Sequence, residues 1–560
     1  MKTNAPIFQR LLGLETEYAI RFRPYQDGPP VKQIELYRSL LEKFRERLPT
    51  ATGSVLEEKH FTANGGTIGF ERVLHAGGFG LIEAATPECQ SPRDALVWQR
   101  AQDRLLSESA ASCRDDGELV LIKNSRDSQG NAYGTHENYE IQVTGWLGLA
   151  CWRGILLLAA TICLLFWVIM VPLVIVAIPA YLLIAVAVYP FAVMRTDSGQ
   201  RAELFRKFFG DGFDTSEDAT PIPRSVERAL NRVAMIALSP MLLTIIVAAR
   251  FCLYRRHVRM LTPFLVSRSI LSGSGWVSDS GDFLLAQKAP VLRFIFGPLG
   301  NHAYPLFSVA HLMDACLIGW FNPMDLFSNL GSRQRMQVCL GDCNMAEEAE
   351  YLRLATTTLM IDAIEAGAIK NPPRVRRPLH ALQAVVRDEP IERAIAVHNG
   401  RPMTALDVQR WYQAACRRFV EANQNRPDEA YEVLQRWSDV LDGLAGDRTI
   451  LVGRIDWVTK RMLLKQAGQN LLLPANRKLD IKYHELSSDG YYLLLESAGE
   501  TEQIVSEQEI LRAMRQPPPT PRAMRRGSFI REFSGTDTPV HASWNSIRLG
   551  KAFGNRRVRL

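Results

Sequence analysis

Between Arg153 and Arg195 the chain runs for 41 residues, Gly154–Met194, without one Asp, Glu, Lys or Arg. No other feature of the 560-residue sequence limits its fold as strongly. As a single helix such a run would be about 60 Å long, twice the roughly 30 Å of a bilayer's hydrocarbon. Core helices of soluble proteins are shorter and carry charge on one face, so the run predicts a membrane element. The remaining residues hold all 66 Lys/Arg and all 59 Asp/Glu, an ordinary density for soluble protein. The chain therefore reads as soluble-type sequence on both sides of an inserted apolar segment, 144–258, and is long enough for more than one core.

Pro172 and Pro179 fall near the middle of the run, where a helical hairpin would turn. A second apolar stretch, Val233–Ala249, ends in Arg250, Arg255, Arg256 and Arg259. The connector 195–232 carries seven Lys/Arg, which prefer the cytoplasm. That favours a hairpin in the first run, with Val233–Ala249 in the interface. The other arrangement is a single crossing that the second stretch returns. If residues on both sides of the insert build one site, the number of crossings is even, with two favoured.

Nine cysteines form no CxxC pair, which predicts reduced thiols and a cytosolic setting for the soluble part. The N-terminus has no apolar core of the kind a secretory signal needs, and none is expected. Neither a phosphate-binding P-loop, a GxSxG elbow nor a nucleic-acid module is present, so no nucleic-acid partner is expected. The C-terminus is basic: Arg548, Lys551, Arg556, Arg557 and Arg559 stand without an acid among them.

Chemistry concentrates in strand-like segments upstream of the insert. Leu11–Ile20 alternates, so Glu15 and Glu17 project from one face. Asn64–Glu71 (NGGTIGFE) and Gly80–Cys89 (GLIEAATPEC) read as a hairpin with a Gly77–Gly78 turn, carrying Glu71 and Glu83 and ending at Glu88. In the strand ending at Ile141, His136, Asn138 and Glu140 face one way, and Glu137 and Tyr139 the other. Carboxylates gathered on a sheet face are what a hard cation such as Mg²⁺ with nucleotide phosphates requires. Downstream, Tyr351–Ala366 and Leu406–Arg436 show helical periodicity, and Gln516–Pro521, with four prolines, reads as a linker.

GLETEY at 13–18, NGG at 64–66, EAATPEC at 83–89 and KNSRDSQGNAYGTHENY at 123–139 resemble the family of Pup ligases and depupylases. So do LTPFLVSRSI at 261–270, GDCNM at 341–345, ALDVQRWY at 405–412, IDWVTKR at 455–461, LDIKYHEL at 479–486 and QPPPTPRAMRRGSFI at 516–530. The resemblance spans nearly the whole chain in order. It implies an α+β fold: a glutamine-synthetase-like antiparallel sheet cradle backed by helices, a small C-terminal domain at 516–560 and the inserted transmembrane helical segment. The ligase-like domain would comprise 1–143 and 259–515.

The resemblance also implies an ATP- and Mg²⁺-dependent ligase, membrane-anchored with its catalytic part in the cytoplasm. Its partners would be a Pup-like protein, protein substrates and the lipid bilayer. It places Glu15, Glu83 and Glu17 as metal ligands and Glu71 as catalytic base. Thr86, Trp544, His136, Arg522 and Arg526 would contact nucleotide, phosphate or Pup carboxylates, with Glu88 and Glu137 in the same cavity. Three departures stand out. The family has an aspartate at Glu71, a metal-contacting tyrosine at Gly69 and a nucleotide-binding arginine at Thr67. These open two alternatives: a catalytically degenerate scaffold that binds Pup or its ligase, and a depupylase/deamidase.

Overall fold

The computed structural model describes the chain except residues 1–3, 27–30, 55–57, 73–79, 114–115, 128–130, 144, 197–199, 210–222, 300–303, 319–322, 399, 469–472 and 551–555. The Gly77–Gly78 turn, Lys551 and residues 197–199 and 210–222 of the connector 195–232 lie outside the described residues. Two compact units result. One holds Met1–Thr144, Tyr254–Ser308 and Arg333–Leu560; the other holds Gly145–Leu253 and Val309–Ser332.

The first unit is built on a 13-stranded sheet. Its strands are β1 (Leu12–Pro24), β2 (Thr50–Ser54), β3 (Lys59–Thr62), β4 (Thr67–Arg72), β5 (Gly80–Ala85), β6 (Gly117–Ile122) and β7 (Thr135–Gln142). β8 (Trp276–Val277) and β9 (Phe283–Leu284) form a separate ribbon. The large sheet continues with β10 (Phe294–Gly297), β11 (Pro305–Ser308), β12 (Arg333–Val338), β13 (Val540–Ala542), β14 (Ser546–Leu549) and β15 (Arg556–Arg559). The strand order is β10-β11-β12-β7-β1-β5-β4-β3-β2-β13-β14-β15, with β6 on the far half of β1. All neighbours pair antiparallel except β10 with β11 and β2 with β13. Residues 516–560 thus belong to this unit, because their strands extend its sheet.

One face of the sheet is covered by helices α1 (Gln33–Arg47) and α2 (Pro92–Ala111). α2 starts cleanly: Ser91 caps it by accepting the Asp94 N–H at 3.0 Å, and Pro92 fills the first turn. Its Gln99 meets the Thr16 hydroxyl, and its Asp103 accepts from Tyr18 at 2.7 Å. Even-numbered residues of β1 therefore face the core, and Gly13, Glu15 and Glu17 face away from it.

The second unit centres on α3 (Trp146–Met194), one helix of 49 residues, followed by α4 (Arg201–Phe209) and α5 (Arg224–Ala248). The hairpin expected at Pro172 and Pro179 does not form. α3 runs through both prolines and through Pro190. Each proline forfeits one hydrogen bond, whereas a turn there would strip several backbone groups of partners in apolar surroundings. α5 returns antiparallel along α3, since Cys151 neighbours Cys252 at 3.6 Å and Cys163 neighbours Met241. The segment Val309–Ser332 joins this unit through indole donors: Trp152 to the Asn329 carbonyl at 2.9 Å and Trp167 to the Leu317 carbonyl at 2.7 Å. Among the described residues, two helices, Trp146–Met194 and Arg232–Leu253, are long and apolar enough to cross a membrane. Apolar side chains along α3 are exposed, with Val168 at 61% and Leu183 at 72%.

α6 (Arg255–Ser272) opens the second stretch of the first unit. With the helix Glu347–Glu365, buried from Glu347 to Ile364, it carries a set of paired charges. Arg268 forks onto Glu137 at 2.6 and 2.8 Å, Arg353 pairs Glu350 at 2.9 Å, and Lys123 bridges Asp103 and Glu350.

Candidate active site

The register fixes which side chains share the open face. Phe61 lies opposite Thr67, Thr67 opposite Ala85, Ala85 opposite Glu15, and Glu15 opposite His136. Two positions along, Gly69, Glu83 and Glu17 form a second row, with Glu71 beyond Gly69 on β4. Direct cross-strand neighbours stand about 5 Å apart, so carboxylates in adjacent rows meet. Glu17, Glu71 and Glu83 do: one oxygen from each lies within 4.8 Å of the others.

Their charges are managed locally. Glu17 is buried and accepts the Gly134 N–H at 2.5 Å. Burial raises its carboxyl above the usual range, while the Lys288 ammonium opposes that rise. Glu71 is exposed as a residue, yet its carboxyl is packed round by protein atoms. That crowding, with the charges of Glu17 and Glu83, lifts it well above an ordinary glutamate, and the two carboxyls Glu17 and Glu71 hydrogen bond. Glu83 accepts the Lys59 ammonium at 3.0 Å.

The other expected residues fall in varied places. Glu15 shares the face but is held by Arg335 at 2.8 Å and Gln337 at 2.9 Å, both from β12. His136 is buried and kept neutral, its imidazole pushed well down by burial and by Lys288 and Arg335. Thr86 is buried, and its hydroxyl accepts the Leu14 N–H at 2.9 Å. Trp544 packs edge-on against Phe61 at 5.2 Å, which places it at the end of the first row.

Arg526 is fully buried on the helix Pro521–Phe533. It pairs Glu88 at 2.5 Å, donates to the Gly65 carbonyl at 2.7 Å and stacks on Trp544 at 4.8 Å. It clasps the C-terminal segment to the turn between β3 and β4, where Gly65 has φ +93°. Arg522 is exposed beside Asn545. Glu137 lies on the opposite face in the Arg268 ion pair, where the strand period puts it.

Four residues come to the face from outside the sequence expectations as site residues. Lys59 precedes Phe61 by two on β3, an alternation visible in the sequence. Thr67 places a buried hydroxyl in the centre of the first row with no hydrogen-bond partner among the described residues. Lys288 is 2% exposed, and its ammonium also lacks a hydrogen-bond partner among the described residues. Its backbone is fixed by Asp342, which accepts the N–H groups of Gln287 and Lys288 at 2.9 and 2.8 Å. Arg335 arrives with β12. No local pattern marks Lys288 or Arg335.

A large, mostly antiparallel sheet with helices on one face and converging carboxylates on the other defines a mixed α/β protein with an acid-lined open face. The chain belongs to the Pup-ligase protein family, whose model matches residues 10–548. It is 27% identical over 479 residues to a Pup deamidase/depupylase of Mycolicibacterium smegmatis, covering 83% of this chain and 71% of that one. It is 24% identical over 559 residues to a Pup–protein ligase of Sanguibacter keddieii, covering 97% and 93%. Its fold is similar to the crystal structure of Pup in complex with its ligase PafA, with a TM-score of 0.64 at 19% identity over 99% of this chain and 89% of that one. It is also similar to PafA in complex with ADP, with a TM-score of 0.59 at 20% identity over 96% and 92%.

Proposed function

We propose that the chain is a membrane-anchored ligase of the Pup type. ATP bound over the carboxylate face phosphorylates the C-terminal glutamate of a Pup-like protein, and a substrate lysine then forms an isopeptide bond. The carrying observation is the convergence of Glu17, Glu71 and Glu83 on the open face. Hard oxygen donors are what Mg²⁺ takes, and Glu17 and Glu83 would hold the ion where it displaces Lys59 from Glu83. When bound, the ion neutralises phosphate oxygens as charge develops on them.

The chain's own residues supply the rest. The glutamate carboxylate attacks the γ-phosphorus and ADP leaves. Glu71 first accepts a proton from the lysine ammonium; the freed amine attacks the acyl carbon, and phosphate leaves with the C–O electron pair and takes up the second nitrogen proton. Thr67 and Lys288, both buried and without hydrogen-bond partners among the described residues, offer a hydroxyl and an ammonium to phosphate. Trp544 and Phe61 supply an aromatic flank at one end of the row. Exposed Arg522 would meet a Pup carboxylate. α3 and the helix Arg232–Leu253 would anchor the chain, leaving the first unit in the cytoplasm.

A second reading, a degenerate scaffold that binds Pup or its ligase at the membrane, is favoured by the Lys59–Glu83 pair, which occupies one of the three carboxylates. The full chain in lipid nanodiscs, incubated with Pup, ATP, Mg²⁺ and a lysine-bearing acceptor, separates them. Conjugate that disappears in Glu71→Ala supports the ligase. Nucleotide binding without conjugate supports the scaffold, and release of Pup from a preformed conjugate supports a depupylase. No nucleotide binding overturns all catalytic readings.

A further inference from the structure

The Lys59 ammonium sits 3.0 Å from Glu83, inside the group of carboxylates a metal would use. It gets there because the position opposite Glu83 on β4 is Gly69. A Cβ at Gly69 would already touch the Lys59 Cα at 3.4 Å and its Cβ and Cγ at 3.5 Å. Any side chain longer than a methyl group would therefore compete with the lysine stem for this space. Gly69 and Lys59 are one device: the missing side chain admits the lysine.

Charge counting gives the device a purpose. Three carboxylates face two lysines, Lys59 and the buried Lys288, whose charge acts on Glu17 and His136. The ammonium on Glu83 is tethered and cannot exchange with solution. A divalent ion on the same oxygens would stand within a few ångströms of it, where like charges repel strongly. Mg²⁺ also demands near-octahedral oxygen geometry, and Glu83 already gives one oxygen to Lys59. The orphan Thr67 hydroxyl and Lys288 ammonium show that the face still has donors unspent, as an anionic phosphate ligand requires.

We propose that Lys59 is a resident cation of the phosphate site, taking on Glu83 the place of a divalent ion, so that the face binds nucleotide phosphate with little need of metal. This rests on reading the face as a nucleotide site. Lys59 is a positioning residue: it holds Glu83 and supplies charge beside the phosphates.

The test uses the full chain in nanodiscs and Mn²⁺ as the probe, with free Mn²⁺ measured by its paramagnetic resonance signal and no nucleotide present. Lys59→Met keeps the stem and removes the charge; it should bind Mn²⁺ roughly tenfold tighter than the native chain, while Lys59→Arg stays within about threefold. In a second arm, ADP binding to the native chain should change less than about threefold on chelation of metal, and binding to Lys59→Met should fall roughly tenfold. Equal Mn²⁺ affinity of the native chain and Lys59→Met, or no Mn²⁺ binding by either, overturns the assignment. So does loss of native ADP binding on chelation. The Mn²⁺ arm needs neither Pup nor ATP. If conjugation fails while Lys59→Met gains Mn²⁺, the ligase reading falls and Lys59 keeps its role.

Discussion

Arg335 lays its guanidinium 2.8 Å from Glu15, and Gln337 donates to the other oxygen of the same carboxylate at 2.9 Å. Two residues along β1, Glu17 stands beside Glu71 and Glu83. The two glutamates are equivalent by strand period, but they have different jobs. Glu15 is held as a brace between β1 and β12, and Glu17 is the ligand proposed above. Glu17→Gln should weaken Mn²⁺ binding roughly tenfold, and Glu15→Gln should stay within about threefold, as read by calorimetric titration. The reverse order would return Glu15 to the metal set.

Glu71 carries the next expectation. Its carboxyl is pushed up by crowding and by two neighbouring carboxylates, which suits a group that must take a proton near neutral pH. Glu71→Gln keeps the shape and removes the base. Single-turnover conjugation should slow by about 100-fold or more, while the concentration of Pup giving half-maximal rate stays put. An unchanged rate would remove Glu71 from proton transfer.

Much of this face was legible because strands have a period of two. GLETEY, NGGTIGFE and GLIEAATPEC each place alternate residues on one side, and the family resemblance puts Glu15, Glu17, Glu71 and Glu83 in one cavity. What the alternation could not show was who meets them. Arg335 reaches Glu15 only because β12 pairs with β7, nearly two hundred residues upstream. Lys288 reaches Glu17 only because Asp342 pins the backbone of its segment. The apolar run announced a membrane-type helix, but hydropathy does not say whether Pro172 bends a helix or ends it. Nor does it say that Val309–Ser332, far downstream, packs with that helix; the Trp152 and Trp167 indoles do that through backbone carbonyls.

The C-terminal clasp should be costly to open. Arg526 is fully buried, and Glu88, the Gly65 carbonyl and the Trp544 ring all depend on it. Removing one partner of a buried pair leaves an uncompensated charge and typically costs about 3 kcal/mol. Arg526→Met should lower the urea midpoint accordingly and expose Trp544, seen as a red shift of tryptophan emission. Arg526→Met with Glu88→Gln should recover part of the loss, since no charge is then stranded. A neutral effect of the single substitution would mean that the clasp does not hold the segment.

Acid sensitivity follows from two histidines of the first unit. Burial, aided by Arg45, pushes His60 down to about 4; burial, then Lys460, pushes His484 well below its ordinary value. His484 is fully buried, and one ring nitrogen interacts with the Gln287 side-chain amide at 3.2 Å. Both rings stay neutral in the folded chain, whereas the unfolded chain protonates them near pH 6.5. Their contribution is therefore fully present above pH 6.5 and is lost as pH falls from there toward 4, because the unfolded state binds the extra protons. Each fully neutral buried histidine can cost at most about 1.4 kcal/mol per pH unit in that window. Urea midpoints between pH 7.5 and 5 should fall steadily, and His484→Gln should flatten the slope even if it lowers stability at pH 7.5. An unchanged slope in His484→Gln would show that its protonation does not drive acid unfolding.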